Sequence, residues 1–257
     1  MDEDSRLLQG WGQLELARTQ ELIVRALKSA PAKVLDVGGG SGIYSAWLAS
    51  LGYEVYLLDL VPKHIEQARK RSVRSEKPIA SMRVADARHL EEADGSMDAV
   101  LLLGPLYHLT ERPDRIASLK EAFRVLSPGG LLFAAAISRF ASLFDSLRYG
   151  FFDDPRFAPI LDRDLTDGQH RNPTGNPQYF TTAYFHRPGE LSRELLEAGF
   201  RVESLFAIEG PGWLADDFDN LWTDQAQRRR LLETIRKVER EPTILGASPH
   251  ILAIGRK

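Results

Sequence analysis

The sequence predicts an α/β protein, a seven-stranded and mainly parallel sheet with helices on both faces. Three observations predict it. From residue 33 onward, short apolar runs alternate with stretches of helical period. The first run, "KVLDV", gives way at once to "GGGSG", and glycines in that position mark backbone that must turn sharply or approach a ligand closely. The run "LLFAAAI" (131–137) is apolar at every position, as a strand covered on both faces requires.

Each element follows in order. Residues 5–29 carry Leu7, Leu8, Leu14, Leu22, Ile23 and Leu27 at helical spacing, between charges. Strand one is 33–37. "IYSAWLASLG" (43–52) reads as a helix ending at Gly52, and "EVYLLD" (54–59) as strand two. A helix over 62–75 opens on Pro62, which suits a first helical turn. Strands three and four are "SMRVAD" (81–86) and "DAVLLL" (98–103). Between 114 and 126, Ile116, Leu119, Phe123 and Leu126 form one helical stripe, and "SPGG" stops it before strand five, 131–137. Residues 138–187 have no clean strand pattern but are rich in aromatics, prolines and turn residues, which favours an ordered cap over a slack loop. The alternation resumes with a helix in "GELSRELLEAGF" and strand six in "RVESLFAI". After a second excursion at 209–249, "HILAIGR" is strand seven.

Composition narrows the function. Hydrophobic residues are 43% and charged residues 27% of the 257, an ordinary globular balance for one domain with an added cap. The formal net charge of −3 disfavours nucleic acid as the main partner. With no cysteine, disulfides, thiolate metal sites and cysteine nucleophiles are excluded. The acidic start "MDEDSRLLQGWGQ" does not resemble a signal peptide, and no apolar run approaches the roughly 18 residues that span a bilayer. A soluble, cytoplasmic protein without a membrane partner is expected. The "RRR" at 228–230 has acids nearby and reads as a solvated helix face. No compact His/Asp/Glu metal signature is visible, so no metal is expected.

The glycine turn admits three ligands. A phosphate loop would need Gly-Lys-Ser/Thr, and no lysine follows here. A dinucleotide fingerprint would place a third small residue where Ile43 stands. What remains is Asp-x-Gly-x-Gly-x-Gly: Asp36, Gly38, Gly40 and Gly42.

With "YLLDLVP", "VADARHL" and "DAVLLLGPLYHLTERPDRIASLKEAFRVLSPGG" in order behind "VLDVGGGSG", the chain resembles the class I S-adenosylmethionine-dependent methyltransferases, over about 31–137 and again over 188–208. More narrowly, it is similar to uncharacterised bacterial members thought to act on small molecules. The resemblance implies a Rossmann-like fold with S-adenosylmethionine as cofactor. Residues 31–137 and 188–257 would be the cofactor-binding domain, 1–30 a helical lid and 138–187 an inserted substrate cap. Gly38, Gly39, Gly40 and Gly42 would wall the amino acid end and ribose, Asp36 would order that turn or meet the cofactor's ammonium, and Asp59, with Leu60, would accept the ribose hydroxyls. Asp86 and the Ala87 amide would contact adenine, and Gly104 with Pro105 the methionine portion. A ligand in an open α/β sheet lies outside the carboxyl ends of the strands, where the loops 104–112, 138–187 and 209–220 emerge.

The expected activity is methyl transfer to an oxygen or nitrogen of a small molecule. His108, just past strand four, is the candidate base or else a pocket-wall histidine. Tyr107, Arg139, His170, Tyr184, His186 and Trp213 are candidate substrate contacts, with Arg171 and Tyr179 beside them in the cap. Arg139 equally suits a cap-anchoring ion pair, and Trp213 equally suits seating the second excursion. Two other readings stand: a cyclase or lyase that uses the same cofactor without methylating an acceptor, and a cofactor-binding module acting on protein or RNA.

Overall fold

The computed structural model describes residues 3–257, the first three by backbone alone. The first two residues of the expected 1–30 lid lie outside the described residues. The main sheet takes β1 (Lys33–Val37), β2 (Glu54–Asp59), β3 (Ser81–Val84), β4 (Met97–Leu102) and β5 (Leu126–Ile137). A short antiparallel ribbon, β6 (Gln169–His170) with β7 (Ala183–Tyr184), stands apart from it. Then β8 (Arg201–Ala207) and β9 (His250–Arg256) complete seven strands in the order β3-β2-β1-β4-β5-β9-β8. Pairing is parallel from β3 to β5, while β9 runs antiparallel to both its neighbours.

Side chains alternate across a strand, and this sorts the core into two layers. Val34, Leu57, Leu101 and Phe133 pack on one face, against Leu22 and Ile23 of α2 (Gly12–Ala26), Leu48 of α3 (Ile43–Ser50) and Ile65 of α4 (Pro62–Ser72). Leu35, Leu58, Val100 and Leu132 pack on the other, against Leu119 of the helix Arg112–Val125 and Leu191 of the helix Pro188–Glu197. The chain moves outward from β1 to β2 and β3, then returns past β1 to β4. That reversal opens a crevice at the carboxyl ends of β1 and β4, where such sheets bind ligands.

Three differences from the sequence reading have local causes. The expected helix 5–29 is broken into α1 (Glu3–Leu8) and α2: Gly10 is left-handed, with φ 51°, and a Cβ on Gly12 would lie 2.0 Å from the Arg6 carbonyl oxygen. "SPGG" does not stand outside strand five; β5 begins at Leu126, opposite Met97, and the register slips before Ala99 meets Leu131. The 138–187 segment carries two helices, Ala141–Tyr149 and Ala158–Asp167, ahead of the β6–β7 ribbon. It has an apolar centre of its own in Phe157, Ile160, Leu161 and Tyr179. The 209–249 excursion packs Phe218, Trp222 and Ile235 on Leu14 of α2.

Candidate active site

A cavity of about 440 Å³ opens along the carboxyl ends of β1, β2 and β4. Its floor is the glycine turn. Gly38 and Gly39 N–H groups both donate to the Leu58 carbonyl, at 2.7 and 3.1 Å, and draw the turn across from β1 to β2. Gly38 has φ 69°, and a Cβ there would sit 2.5 Å from Cγ of Pro105, so the turn and the β4 loop close on each other only without a side chain. Gly40, with φ 57°, has nothing within 4 Å of where its Cβ would be. It is the bare face of the turn, a wall a ligand can approach. Gly42 is different. It does not line the cavity, and its Cβ would press on Leu57, Ala68 and Ile79, so it serves the seating of α3.

Three carboxylates border this floor. Asp59 ends β2 and laces the crevice together: its Oδ2 accepts from the Gly40 N–H (2.9 Å), and its Oδ1 accepts from the Val61 N–H (2.8 Å) and faces His64 Nδ1 (3.0 Å). Asp86 lines the cavity beside Ala87, but its carboxylate is already held by Arg88, whose Nη2 donates to Oδ2 at 2.6 Å. That guanidinium keeps Asp86 below the usual carboxylate range. Asp36 lies buried under the turn and accepts from Ser45 Oγ at 2.6 Å. Burial pushes its pKa up to about 6, helped by the negative Asp59 and opposed by the Ser45 hydrogen bond.

The raised Asp36 has a measurable consequence. A carboxyl that binds its proton more tightly when folded destabilises the fold as pH rises, between its unfolded pKa near 3.8 and about 6. About two pH units correspond to about 2–3 kcal/mol. Asp36→Asn, which keeps an acceptor for Ser45, is therefore expected to raise the unfolding midpoint at pH 7.5 and leave it nearly unchanged at pH 4. Thermal melts at the two pH values check this.

Leu60, Gly104, Pro105, Tyr107 and His108 also line the cavity. His108 is exposed, with its ring 4.7 Å from that of Tyr107. The other expected substrate contacts do not reach the cavity, because their polar atoms are spent inside the protein. Arg139 is buried, donating to the Phe185 carbonyl (2.8 Å) and pairing with Glu190 (2.8 Å). His170 bridges Asp164 (2.7 Å) and the Tyr179 carbonyl (2.7 Å). Tyr184 lies under the Arg115 guanidinium, 3.7 Å from its centre. His186 meets Glu194 at 3.2 Å, and burial pushes its pKa down. Trp213 donates to the Ala247 carbonyl (3.0 Å) and packs on Phe144. These five are corrected from substrate contacts to joints of the fold.

The structure adds residues to the cavity that the sequence reading missed: Arg6, Glu15, Thr19, His64, Ile208 and His250. Because β9 is antiparallel, His250 at its start stands at the edge where β1, β4 and β5 end. Its Nδ1 lies 2.6 Å from Glu209 Oε1 and 3.6 Å from Glu15 Oε2. Burial alone would lower the His250 pKa, but the two carboxylates outweigh it and push it up to about 9. Glu209 is completely buried, accepting from Ser248 Oγ (2.8 Å) and the His250 N–H (3.1 Å). Among the described residues, these three side chains form a cluster of metal-ligand type, with donor atoms within 4.8 Å of one another. No spacing in the sequence announced it, since the three come from distant segments.

Comparison with known proteins agrees with this geometry. Residues 35–134 match the methyltransferase domain family. The chain is 31% identical over 194 residues to a ubiquinone biosynthesis O-methyltransferase from Xanthomonas axonopodis pv. citri, covering 75% of this chain and 72% of that one. In fold it is similar to a SAM-dependent methyltransferase from Methanosarcina mazei (TM-score 0.63, 20% identity, 92% and 96% of the two chains). It is similar as well to an S-adenosylmethionine-dependent methyltransferase from Mesorhizobium loti (0.62, 19%, 95% and 100%). The chain belongs to the class I S-adenosylmethionine-dependent methyltransferases. It is an enzyme of that class, and S-adenosylmethionine is its cofactor. None of its described helices is long and apolar enough to cross a membrane.

Proposed function

We propose that the enzyme methylates an oxygen of a small, largely apolar molecule, in the cytoplasm. The observation that carries this is the cavity itself. Beside the Asp59 and Asp86 carboxylates its surface is mostly apolar, with Leu7, Tyr44, Leu109, Ala135 and Ile208 in the lining. The relative named for ubiquinone biosynthesis O-methylation supports oxygen over nitrogen.

The residues present suit the cofactor. The side-chain-free face of Gly40 can take a ligand against backbone, and Asp59, fixed by two amides, turns its charge to the same space. Asp36, Gly38, Gly39 and Gly40 would hold the amino acid end, Asp59 and Leu60 the ribose, Asp86 and Ala87 the adenine, and Gly104 the methionine portion. When bound, S-adenosylmethionine supplies an electrophilic methyl group on a sulfonium. The protein's own part is alignment and exclusion of water, and alignment is worth roughly 7–11 kcal/mol in favourable cases. Leu7 and Thr19, from the first two helices, would cover the acceptor end as a lid, and the 138–187 segment would shape its outer rim as a cap.

Incubation with methyl-labelled S-adenosylmethionine and a panel of phenols, quinols, amines and carboxylic acids tests this. Label is expected in a phenol or quinol ether by mass spectrometry. Label only in amines, or cofactor turnover without any methylated acceptor, would refute the reading.

A further inference from the structure

Glu15 and His250 line the cavity and Glu209 is buried behind them, the three coming from separate segments. His250 Nδ1 is committed to Glu209 Oε1, and Glu209 is itself locked by Ser248 and the His250 amide. With that bond made, the proton of the neutral ring belongs on Nδ1, and Nε2 is left as the acceptor. Nε2 has no hydrogen-bond partner among the described residues and is not among their buried unpartnered atoms, while the ring lines the cavity. We propose that His250 is the catalytic proton acceptor of this enzyme, that Glu209 is its positioning residue, and that the hydroxyl it serves is a phenol.

This rests on the O-methylation reading above and names its chemistry. As the acceptor reacts, its O–H bond breaks and the proton passes to Nε2. The oxygen's electron pair forms the new O–C bond, and the electrons of the old C–S bond stay with the departing sulfur. The imidazolium then releases its proton to solvent. Four charged groups face His250 and set its basicity: Glu15 on α2, Glu209 after β8, Asp145 on the helix Ala141–Tyr149, and Arg6 on α1 through its pair with Glu15. Their balance raises His250 to about 9, so the accepting form is the neutral ring that grows as pH rises toward that value, near the range in which a phenol such as tyrosine ionises, about 10. A matched donor and acceptor favour proton transfer.

Two alternatives fit less well. An ammonium acceptor would need an open carboxylate, but Glu15 is taken up by Arg6 (Nη2 to Oε1, 2.9 Å) and Glu209 is enclosed. A metal ion would need Nδ1 and the same oxygens, yet Nδ1 and Glu209 Oε1 are already joined at 2.6 Å.

Three measurements on the full chain, saturated with S-adenosylhomocysteine, decide it. Imidazole NMR should show His250 holding its proton to well above the ordinary histidine range, with Nδ1–H in the neutral form. Glu209→Gln should lower that midpoint by about one pH unit or more. An Nε2–H tautomer in the wild type would overturn the proposal. Added 4-nitrophenol should show its phenolate absorption band below the pH at which it ionises in water. His250→Asn, and His250→Gln should the first variant fold poorly, should abolish the band. Its absence in the wild type, or its persistence in both variants, counts against the proposal. Calorimetric binding of zinc or magnesium that disappears in His250→Asn would reassign Nδ1 to a metal and overturn it too. S-adenosylhomocysteine affinity is expected to be unchanged in His250→Asn. Failure of wild-type protein to bind that compound would instead sink the methyltransferase site itself.

Discussion

Asp59→Ala is expected to weaken S-adenosylhomocysteine binding by about 10²–10⁴-fold, measured by calorimetry. A charged acceptor of two hydroxyl hydrogen bonds is worth about 1.5–3 kcal/mol per bond, and each 1.4 kcal/mol is tenfold in affinity. Asp59 also holds the Gly40 and Val61 amides, so the alanine variant loosens the floor as well as removing the ligand contact. Asp59→Asn separates the two effects, since it keeps an oxygen for one amide while losing the charge. Its affinity should fall between wild type and alanine. Wild-type affinity in Asp59→Ala would remove this residue from the site.

Arg115→Ala is expected to cost about 3–5 kcal/mol of folding stability, read from urea denaturation, because it leaves a buried carboxylate uncompensated. Arg115 is fully buried and reaches three segments: Nη2 pairs with Glu194 (2.8 Å), Nη1 donates to the Leu109 and Thr110 carbonyls (3.0 and 2.8 Å), and the guanidinium covers the Tyr184 ring. Burial would raise the Glu194 pKa, but His186 and Arg115 pull it down to about 2. A carboxyl depressed by folding stabilises above its unfolded pKa, near 4.5, and loses that contribution as pH falls toward about 2. The stability gap between wild type and Arg115→Ala should therefore narrow below pH 4.5. A variant as stable as wild type at pH 7 would show that the arginine merely fills space.

What was legible in the sequence was local. Strand runs, the glycine turn and the acids at strand ends are decided by residues within a few positions of one another, and β1, β2 and β4 stand where their apolar runs stand. Of the residues expected at the cofactor, Asp36, Gly38, Gly39, Gly40, Asp59, Leu60, Asp86, Ala87 and Gly104 line the cavity, while Gly42 serves packing instead. Illegible features depended on pairing across the chain. Arg139, His170 and His186 look like exposed loop chemistry until Glu190, Asp164 and Glu194 are brought against them. His250 looks like the first residue of a buried strand, and only the antiparallel entry of β9 carries it to the cavity. Glu15 looks like the polar side of a helix until Arg6 folds back on it.

The late entry of β9 between β5 and β8 sets the order in which this molecule can be completed on the ribosome. The crevice floor of β1, β2 and β4 is finished early, whereas β5 and β8 wait with open edges for a strand not yet made. An emerging chain thus acquires the floor of its cavity before the wall that carries His250, and needs shelter from intermolecular strand pairing in the interval.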